Sequence, residues 1–438
     1  MPARRVAQEA RAEMILPRRA VRRAGFVIAS VALAAGAAVA VMPKQPAASA
    51  SASGWVETWA ASPTRPTREV VSQAEAGFHN QTIRNIVFTS TGGREIRIRL
   101  SNTFGTRPLV IGSASVGAVA SGGALSGPAY AVMFDGRSSV QVPAGQEVVS
   151  DPVPMAVTPL EDIAVSVYVP GATGPATYHF FGQQDNYIAP GDHASDPGDA
   201  AFTTRTNSWY FLDGVDVLSA ARRAGTVVAF GDSITDGIGS APGANDRWPN
   251  FLARRLDAQY GDGAPAVVDE GIGGNRVLNG SACYGPSAVA RFGRDVLGQP
   301  DVRDVIVLEG INDIGYSSGA DIGCIAPNTN VSAAQIIAGY KTMIAEAHAH
   351  GIRIFGATLT PFESSWFWLP GGQAKWDAVN HWIRTSGAFD GVVDFARALA
   401  DPNDPAYLNP LYDSGDGLHP NDAGYAAMAG AVNLSRLG

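Results

Sequence analysis

Residues 55–215 alternate between apolar and polar positions over short stretches. Ile96, Ile98 and Leu100 alternate with two arginines, and a similar apolar alternation spans residues 163–169. A period of two is typical of strands with one buried face. Turn-forming pairs interrupt the stretches at Gly92-Gly93, Gly122-Gly123 and Pro170-Gly171. Because this part shows turns at short intervals and no helical periodicity, we expect an all-β sandwich.

From about residue 226 the pattern changes to apolar runs that alternate with amphipathic segments. The runs are of buried-strand type, and the segments between them carry apolar residues at helical spacing. This alternation predicts a parallel sheet with helices on both faces, and such sheets bind ligands outside the carboxyl ends of their strands. The apolar runs are residues 226–230, 266–269, 305–308, 352–358 and 392–395. One helical face consists of Trp248, Phe251, Leu252, Leu256 and Tyr260, and a second consists of Ile336, Tyr340, Met343 and Ile344. A last helix is expected from Asn421 to about Arg436.

The first 52 residues differ from both of these parts. Seven arginines lie within the first 23 residues, and an apolar run over residues 26–42 and an Ala/Ser-rich segment follow them. This order is typical of a secretory signal peptide. The alternative is an uncut membrane anchor, because the uncharged stretch of 20 residues is long enough to cross a bilayer. We therefore predict a secreted protein, or a membrane-anchored one if the leader is retained.

Outside this leader the chain is acidic. Of its 32 basic and 40 acidic residues, 8 and 2 lie within residues 1–50, so the remainder has 24 basic and 38 acidic residues and a net charge of -14. Phosphate binding needs clustered Lys and Arg, so we do not expect a nucleic acid as a partner. The acidic surface favours a neutral substrate, and nothing in the sequence indicates an oligomeric state.

The chain has two cysteines, Cys283 and Cys324, which would meet an oxidising environment in an exported protein. A disulfide between them would close a loop of about 41 residues and stabilise the fold by about 4 kcal/mol in the chain-entropy model. The alternative is a pair of buried thiols. Cysteine and histidine spacings typical of zinc ligands are absent from the sequence, so no metal site is predicted.

The first apolar run leads into residues 230–237, F-G-D-S-I-T-D-G. A serine at the tip of a buried strand, where a helix begins, exposes its hydroxyl and leaves its own amide free to donate. This setting suits Ser233 as a nucleophile. The alternative is a serine or aspartate that caps the helix in a tight turn. The segment alone leaves both interpretations open.

Two further strand ends carry groups that can donate hydrogen bonds to an oxyanion. Residues 269–276 read D-E-G-I-G-G-N-R, and their glycines let backbone N–H groups approach a substrate, although such glycines often only form a turn. In residues 308–313, L-E-G-I-N-D, Asn312 would place a side-chain amide at the same edge; the alternative is an Asx turn. The glycine spacing does not fit a dinucleotide-binding loop.

Asp416 and His419 lie near the C-terminus, within D-S-G-D-G-L-H-P at residues 413–420. A catalytic triad needs a base that removes the serine proton and a carboxylate that orients the imidazole. The two side chains can bond to each other if the loop folds back, which Gly415 and Gly417 permit. The alternative is a histidine in a polar surface loop. The remaining histidines have no comparable setting: His79, His179, His193, His348, His350 and His381.

These four segments, in this order, resemble the sequence blocks of the SGNH or GDSL hydrolases. The G-D-S-I-T segment matches the serine block at Ser233, and G-G-N matches the glycine block at Gly274. G-I-N-D matches the asparagine block at Asn312, and D-G-L-H matches the final block at Asp416 and His419. No position of the family pattern is substituted.

The resemblance covers the chain from residue 226 to the C-terminus and implies a flavodoxin-like three-layer α/β/α domain with about five parallel strands. A less specific resemblance, in W-V-E-T-W-A-A-S-P at residues 55–63 and the strand-rich part after it, points to exported bacterial members with an N-terminal β domain. We therefore expect a leader at 1–52, an all-β sandwich domain at 55–215 and a hydrolase domain at 224–438.

The resemblance also implies a mechanism. His419 would take the Ser233 proton, Asp416 would orient the imidazole, and an acyl-enzyme would form and be hydrolysed. The amides of Ser233 and Gly274 and the side chain of Asn312 would bind the oxyanion. Neither a metal nor an organic cofactor is expected.

Trp366 and Trp368 lie in an aromatic stretch after the fourth predicted strand. They could form a platform for an acyl chain or a sugar, or cover the junction between the two domains. Short acyl or acetyl esters of small molecules or polysaccharides are the expected substrates, because no long insertion suggests a lipase-type lid.

Two alternatives to a short-chain esterase stay open. Within enzymes, the alternative is a lysophospholipase or lipase. From another class, the β domain would make the chain a catalytically inert carbohydrate-binding or adhesion protein. The complete set of triad residues argues against inertness.

Overall fold

The structure of the protein, a computed structural model, describes residues 54–219, 225–317 and 319–438. The expected signal peptide and Ala/Ser-rich segment, residues 1–52, lie outside these described residues. No helix within the described ranges is long and apolar enough to cross a membrane.

Residues 54–219 form a β-rich region of antiparallel strands. The first strands are β1 (Trp55–Ala60), β2 (Gln81–Phe88), β3 (Ile96–Ser101), β4 (Leu109–Ile111), β5 (Ser113–Ser121), β6 (Ala124–Leu125), β7 (Tyr130–Ala131) and β8 (Val140–Val142). They are followed by β9 (Glu147–Val149), β10 (Asp162–Val169), β11 (Tyr178–His179), β12 (Asn186–Pro190), β13 (Thr204–Thr206), β14 (Trp209–Tyr210) and β15 (Leu212–Leu218). A short helix, α1 (Ser72–Ala76), lies between β1 and β2.

Two sheets of this region pack against one apolar core, which confirms the predicted sandwich. One sheet has the order β1-β15-β3-β9, and the other has the order β13-β12-β2-β10-β5-β6, with β7 also paired to β5. Ile98 and Val215 from the first sheet and Val87 and Val165 from the second belong to the same buried cluster. In β3 the apolar positions are buried and the arginines between them are half-buried, as the period of two predicts.

The last strand of the β-rich region continues beyond residue 215, where the sequence analysis placed the end of the sandwich. In β15 the pairing with β1 extends to Leu218, which lies opposite Trp55. The sequence run that contains Val215 and Val217, both buried, therefore forms an interior strand of the sheet between β1 and β3.

The described residues from 225 on form an α/β region. Its strands are β16 (Thr226–Gly231), β17 (Ala266–Gly271), β18 (Val302–Leu308), β19 (Arg353–Ala357) and β20 (Gly391–Val393). Its helices are α2 (Ser233–Asp236), α3 (Trp248–Tyr260), α4 (Ala288–Asp295), α5 (Ile311–Gly315), α6 (Ala333–Ala349), α7 (Gly372–Thr385), α8 (Phe395–Leu399) and α9 (Asp422–Ala431). Turns of 3-10 helix occur at Gly261–Gly263, Gly323–Ile325 and Leu434–Arg436.

The strands of the α/β region form one parallel sheet in the order β17-β16-β18-β19-β20. The helices pack in two groups, α3 with α8 and α9, and α4 with α6 and α7. This arrangement confirms the predicted three-layer α/β/α fold. The crossover at β16, between β17 and β18, places the loops after these three strands side by side at the carboxyl edge.

The two long amphipathic helices follow from their sequences. In α3, Trp248, Leu252 and Leu256 are buried, and a proline occupies the first turn, where its missing N–H costs no helical hydrogen bond. Helix α6 begins with a capping box, in which Ser332 and Gln335 each bond to the other's backbone.

Several predicted element boundaries are wrong; β18, for example, begins at Val302 rather than at residue 305. The run 392–395 leaves the sheet after Val393, because the Asp394 side chain accepts a hydrogen bond from the Arg397 amide at 3.2 Å and caps α8. The last helix ends at Ala431 rather than near Arg436, since Val432 is extended and a separate 3-10 turn follows.

The two regions share apolar contacts along β1 and β17. Ala60 of β1 belongs to the core of the α/β region, and Ala266 and Ile272 belong to the core of the β-rich region. Strand β1 thus lies against the sheet edge that precedes the glycine-rich segment. It carries most of the W-V-E-T-W-A-A-S-P sequence.

Candidate active site

Ser233 is the first residue of α2 and follows β16 after a single intervening residue. That residue, Asp232, caps the helix: its carboxylate accepts a hydrogen bond from the Ile234 amide at 3.0 Å. Because the aspartate serves as the cap, the hydroxyl of Ser233 is free to bond elsewhere. Gly231 lets the end of β16 approach β18 closely, since a Cβ there would lie 2.3 Å from the Leu308 carbonyl oxygen.

The structure brings Ser233, His419 and Asp416 together. The Nε2 atom of His419 lies 2.9 Å from the Ser233 Oγ, and its Nδ1 atom lies 2.6 Å from an Asp416 carboxylate oxygen. The loop folds back as expected, with φ of +111° at Gly415 and +73° at Gly417. A serine hydroxyl, an imidazole and a carboxylate in this order can transfer a proton away from the serine.

The electrostatics of Asp416 fix the tautomer of His419. Burial raises the pKa of Asp416, but the hydrogen bond and charge of His419, together with the amides of His419 and Leu418, lower it to about 2. The side chain is therefore a carboxylate at neutral pH and can only accept hydrogen bonds. The Nδ1 atom of His419 donates to it, which leaves Nε2 of a neutral ring as the acceptor for the Ser233 hydroxyl.

The expected oxyanion donors are the amide of Ser233 itself and groups in the segments that follow β17 and β18. In the described residues, neither the Ser233 amide nor the Gly274 amide donates a hydrogen bond to another backbone group. The Asn312 side chain donates one N–H to the Asn275 carbonyl oxygen at 2.9 Å and retains a second. Three donors without an acceptor thus follow the adjacent strands β16, β17 and β18, as the expected oxyanion site requires.

Gly274 is required by both its conformation and its surroundings. Its φ is +75°, and a Cβ there would lie 2.6 Å from the ring of Tyr284. Tyr284 therefore stands directly against the predicted donor. Its ring stacks on Tyr316 with the centroids 6.1 Å apart, and Tyr316 meets Phe367 edge-on at 4.8 Å. An aromatic wall of Tyr284, Tyr316 and Phe367 thus stands beside Gly274, one of the expected oxyanion donors.

Arg291 of α4 links the end of β16 to the glycine-rich segment after β17, a role that was not predicted from the sequence. Its guanidinium is fully buried and donates to the Gly231 carbonyl oxygen at 2.7 Å and to the Asn275 side chain at 2.9 Å. It also donates to Ser62 of the β-rich region at 3.0 Å. An arginine on an amphipathic helix normally faces solvent, so the sequence carries no signal of this role.

Two buried carboxyl groups, those of Asp232 and Glu309, belong to the segments that carry Ser233 and Asn312. Burial raises the pKa of Asp232 to about 7, and burial together with the nearby Asp232 raises the pKa of Glu309 well above its usual range. Within the described residues, one oxygen of Asp232 and both oxygens of Glu309 accept no hydrogen bond. Arg291 approaches Glu309 at 3.7 Å. The floor of the site therefore holds less negative charge at neutral pH than its sequence suggests.

Trp366 and Trp368, predicted together as a substrate loop, have different surroundings. The ring of Trp366 is 77% exposed. Trp368 is half-buried, packs edge-on against Phe362 at 4.6 Å and contacts the apolar core. The loop itself adjoins the triad, because the Ser364 hydroxyl donates to the Gly417 carbonyl oxygen at 3.3 Å. Of the two residues, Trp366 is the more accessible to a substrate.

Cys283 and Cys324 form the predicted disulfide, with a Cα–Cα distance of 5.1 Å. Cys283 immediately precedes Tyr284, and Cys324 lies in the turn Gly323–Ile325. The bridge therefore joins the loop after β17 to the loop after α5, next to the aromatic wall.

Comparison with known proteins assigns this region to a family. The model of the GDSL-like lipase/acylhydrolase family matches residues 229–427, a span that contains all the predicted site residues. No curated protein matches the chain.

Solved structures similar to this chain include a lipolytic protein of the G-D-S-L family from Desulfitobacterium hafniense. It is 22% identical over 47% of this chain and 96% of its own, with a TM-score of 0.35. A GDSL-like lipase from Bacteroides thetaiotaomicron is 20% identical over 47% and 84% of the two chains, with a TM-score of 0.32. A variant of an acetyl xylan esterase from Geobacillus stearothermophilus is 22% identical over 48% and 94%, with a TM-score of 0.36. From the family match and the parallel fold, we conclude that the α/β region of this chain, through residues 229–427, belongs to the GDSL-like lipase/acylhydrolase family.

Proposed function

We propose that the protein is a serine carboxylic-ester hydrolase in which Ser233 is the nucleophile. The observation that carries this proposal is the continuous series from the Ser233 hydroxyl through His419 to Asp416, with separations of 2.9 and 2.6 Å. An inert carbohydrate-binding or adhesion protein would have no use for this series. The β-rich region does not by itself indicate a different activity.

In the proposed reaction, the Ser233 oxygen attacks the ester carbonyl carbon while its proton moves to Nε2 of His419. The carbonyl oxygen becomes an oxyanion that the amides of Ser233 and Gly274 and the free N–H of Asn312 stabilise. Collapse of this intermediate transfers the proton from His419 to the leaving alcohol. Water then attacks the acyl-enzyme by the same route and releases the acid and the free serine.

We further propose that the acyl group is short and the alcohol neutral. The Tyr284 ring stands against Gly274, so an acyl chain bound at the oxyanion donors meets the aromatic wall at once. Trp366 is exposed in the loop whose Ser364 bonds to Gly417, and its ring offers a flat apolar surface for the alcohol half, such as a sugar. Acetyl esters of small molecules or of polysaccharides fit this description.

We also propose that the protein is exported. The support is the basic, apolar and Ala/Ser-rich order of the leader in the sequence, together with the Cys283–Cys324 disulfide. N-terminal sequencing of protein recovered from a culture medium tests this proposal. A full-length chain that stays in the membrane fraction would contradict cleavage.

The test of function is a panel of nitrophenyl esters of increasing acyl length and of acetylated sugars. We expect turnover of the acetyl and short acyl esters, and a loss of about 10⁴- to 10⁶-fold in kcat for Ser233→Ala. The matched control is Ser138→Ala at an exposed serine of the β-rich region, which should keep full activity. Full turnover by Ser233→Ala would overturn the assignment, and a preference for long acyl chains would favour a lipase.

A further inference from the structure

A buried histidine of the β-rich region contacts the helix that carries the proposed nucleophile. His179, at the end of β11, has a side chain that is 3% exposed. Its Nδ1 atom lies 2.9 Å from the Ser62 carbonyl oxygen, and its Nε2 atom lies 3.0 Å from a carboxylate oxygen of Asp236. Asp236 is the last residue of α2, which begins with Ser233.

The hydrogen bonds continue from Asp236 to the loop that follows β17 and contains Gly273 and Gly274, here called the oxyanion loop. The second carboxylate oxygen of Asp236 accepts a hydrogen bond from the Gly273 amide at 3.1 Å. Gly273 immediately precedes Gly274, a proposed oxyanion donor. The carboxylate therefore ties the nucleophile helix to the oxyanion loop, and His179 holds that carboxylate from the other side.

The partners of His179 determine its charge. A carbonyl oxygen can only accept, so Nδ1 carries a hydrogen, and a carboxylate can only accept, so Nε2 carries one too. The ring is then an imidazolium. Burial lowers the pKa of His179, but Asp236, with help from Ser62 and Asp269, outweighs burial and raises it. The titratable and charged groups around it are Asp236, Asp269 and Arg247. Burial raises the pKa of Asp269 to about 7, and the Nε of Arg247 donates to the backbone carbonyl oxygen of Asp236 at 3.1 Å.

A second connection runs from the same segment of the β-rich region. Ser62 presents its carbonyl oxygen to His179 and its hydroxyl to Arg291. Arg291 in turn bonds to Gly231 and Asn275, which flank the nucleophile and the oxyanion loop. The sequence around Ser62 is the end of W-V-E-T-W-A-A-S-P, which the proposed chemistry does not otherwise use.

We propose that His179 is a positioning residue of the hydrolase site and that the β-rich region is thereby a working part of the enzyme. The imidazolium of His179 holds Asp236, and Asp236 holds the Gly273 amide, so that the Gly274 amide points at the oxyanion. This inference rests on the proposed function. It assigns to the β-rich region a role in catalysis rather than only in binding a polymer.

Two substitutions of His179 separate this role from simple packing. The amide nitrogen of asparagine takes the place of Nδ1, so His179→Asn keeps the bond to Ser62 and loses the bond to Asp236. Glutamine reaches the place of Nε2, so His179→Gln keeps the bond to Asp236. Both changes remove the ring and its charge, and both should lower the thermal midpoint by similar amounts.

We expect His179→Asn to lower kcat on a short acyl ester by about 10- to 100-fold with KM nearly unchanged, because a misplaced oxyanion donor costs transition-state stabilisation. His179→Gln should stay within about threefold of the wild type. Equal losses of kcat in the two variants, or no loss in either, would overturn the proposal.

Hydrogen exchange at the Gly273 amide, followed by NMR, supplies a readout that needs no substrate. Exchange should be faster in His179→Asn than in the wild type and in His179→Gln. Equal exchange in all three proteins would contradict the positioning role even if the ester were hydrolysed. If the wild type hydrolyses no ester and the exchange rates follow this order, the proposed function fails and the positioning role stands.

Discussion

Each of the two regions of the molecule places a histidine beside an aspartate, but only one of the two histidines has a nitrogen that can accept a proton from a neighbouring group. In the α/β region, His419 donates to Asp416 and keeps Nε2 for the Ser233 hydroxyl. In the β-rich region, both nitrogens of His179 face acceptors, so that ring has no atom left to take a proton. A nearby carboxylate does not by itself make a histidine a base; the second nitrogen must face a group that can give up a proton.

The two pairs also differ in their contact with water. The His419 side chain is 14% exposed and Asp416 is 40% exposed, whereas His179 and Asp236 are 3% and 4% exposed. The first pair can meet a substrate. The second is closed off and can act only through the groups it holds in place.

The strongest test of this contrast exchanges both histidines for glutamine. His419→Gln should lower kcat by about 10⁴- to 10⁶-fold, because the base of the triad is lost. His179→Gln should leave kcat within about threefold of the wild type, since its contact with Asp236 survives. The measurement is kcat on the best ester of the panel, with thermal unfolding as the check on folding. Comparable losses of kcat in the two variants would contradict the different roles assigned to the two histidines.

A smaller effect is expected from a direct oxyanion donor. Asn312→Ala should lower kcat by about 10²- to 10³-fold, the usual cost of losing one such donor, with a modest change in KM. Asn330→Ala is the matched control, because that side chain is exposed and, among the described residues, its one hydrogen bond is accepted from Lys375. Full activity of Asn312→Ala would remove this residue from the oxyanion site.

The disulfide should affect stability more than rate. The double variant Cys283→Ser with Cys324→Ser should lose about 2–4 kcal/mol of unfolding free energy, since a loop of about 41 residues is no longer closed. Activity should fall only a few-fold, because the His179 and Arg291 contacts still hold the nucleophile and the oxyanion loop. Calorimetry and ester turnover check both points. An unchanged thermal midpoint would show that the bridge does not support this edge of the fold.

The smallest effects concern pH, and the two pairs should respond in opposite directions. The raised pKa of His179 means that its stabilising contribution is complete below about pH 6.5 and is lost as the pH rises through the folded pKa. The lowered pKa of Asp416, about 2, means that its contribution is present above about pH 3.9 and is lost as the pH falls toward 2.

Thermal midpoints measured across the pH range test these directions. The difference between the wild type and His179→Gln should shrink from pH 6 to pH 9. The difference between the wild type and Asp416→Asn should shrink from pH 5 to pH 2. A difference that is constant over either interval would contradict the charge assigned to that pair.

The groups that the sequence could predict are those whose signal is local. Ser233 lies at a strand end within a short segment, and Asp416 and His419 lie on one turn, so their settings are visible without the fold. The apolar runs likewise predict the parallel sheet. Some element ends shift, as where the cap at Asp394 decides between a strand and a helix, and the helices α4 and α7 were not predicted.

The groups that the sequence could not predict are joined only by the tertiary structure. Four such groups come from distant points of the chain, namely Ser62, His179, Asp236 and Arg291. Each is a polar residue of a type that usually lies on the protein surface, so the sequence gives no sign that it is buried. Trp366 and Trp368 show the same limit. They lie two positions apart in one aromatic stretch, yet packing against Phe362 half-buries one and leaves the other in solvent.

The most direct measurement of the central claim is covalent labelling with a fluorophosphonate probe, followed by mass-spectrometric mapping. We expect one modified residue, Ser233, in the wild type and no labelling in Ser233→Ala or after His419→Gln. A folded wild-type protein that resists the probe, or one that is labelled at another serine, would contradict the assignment of Ser233 as an activated nucleophile.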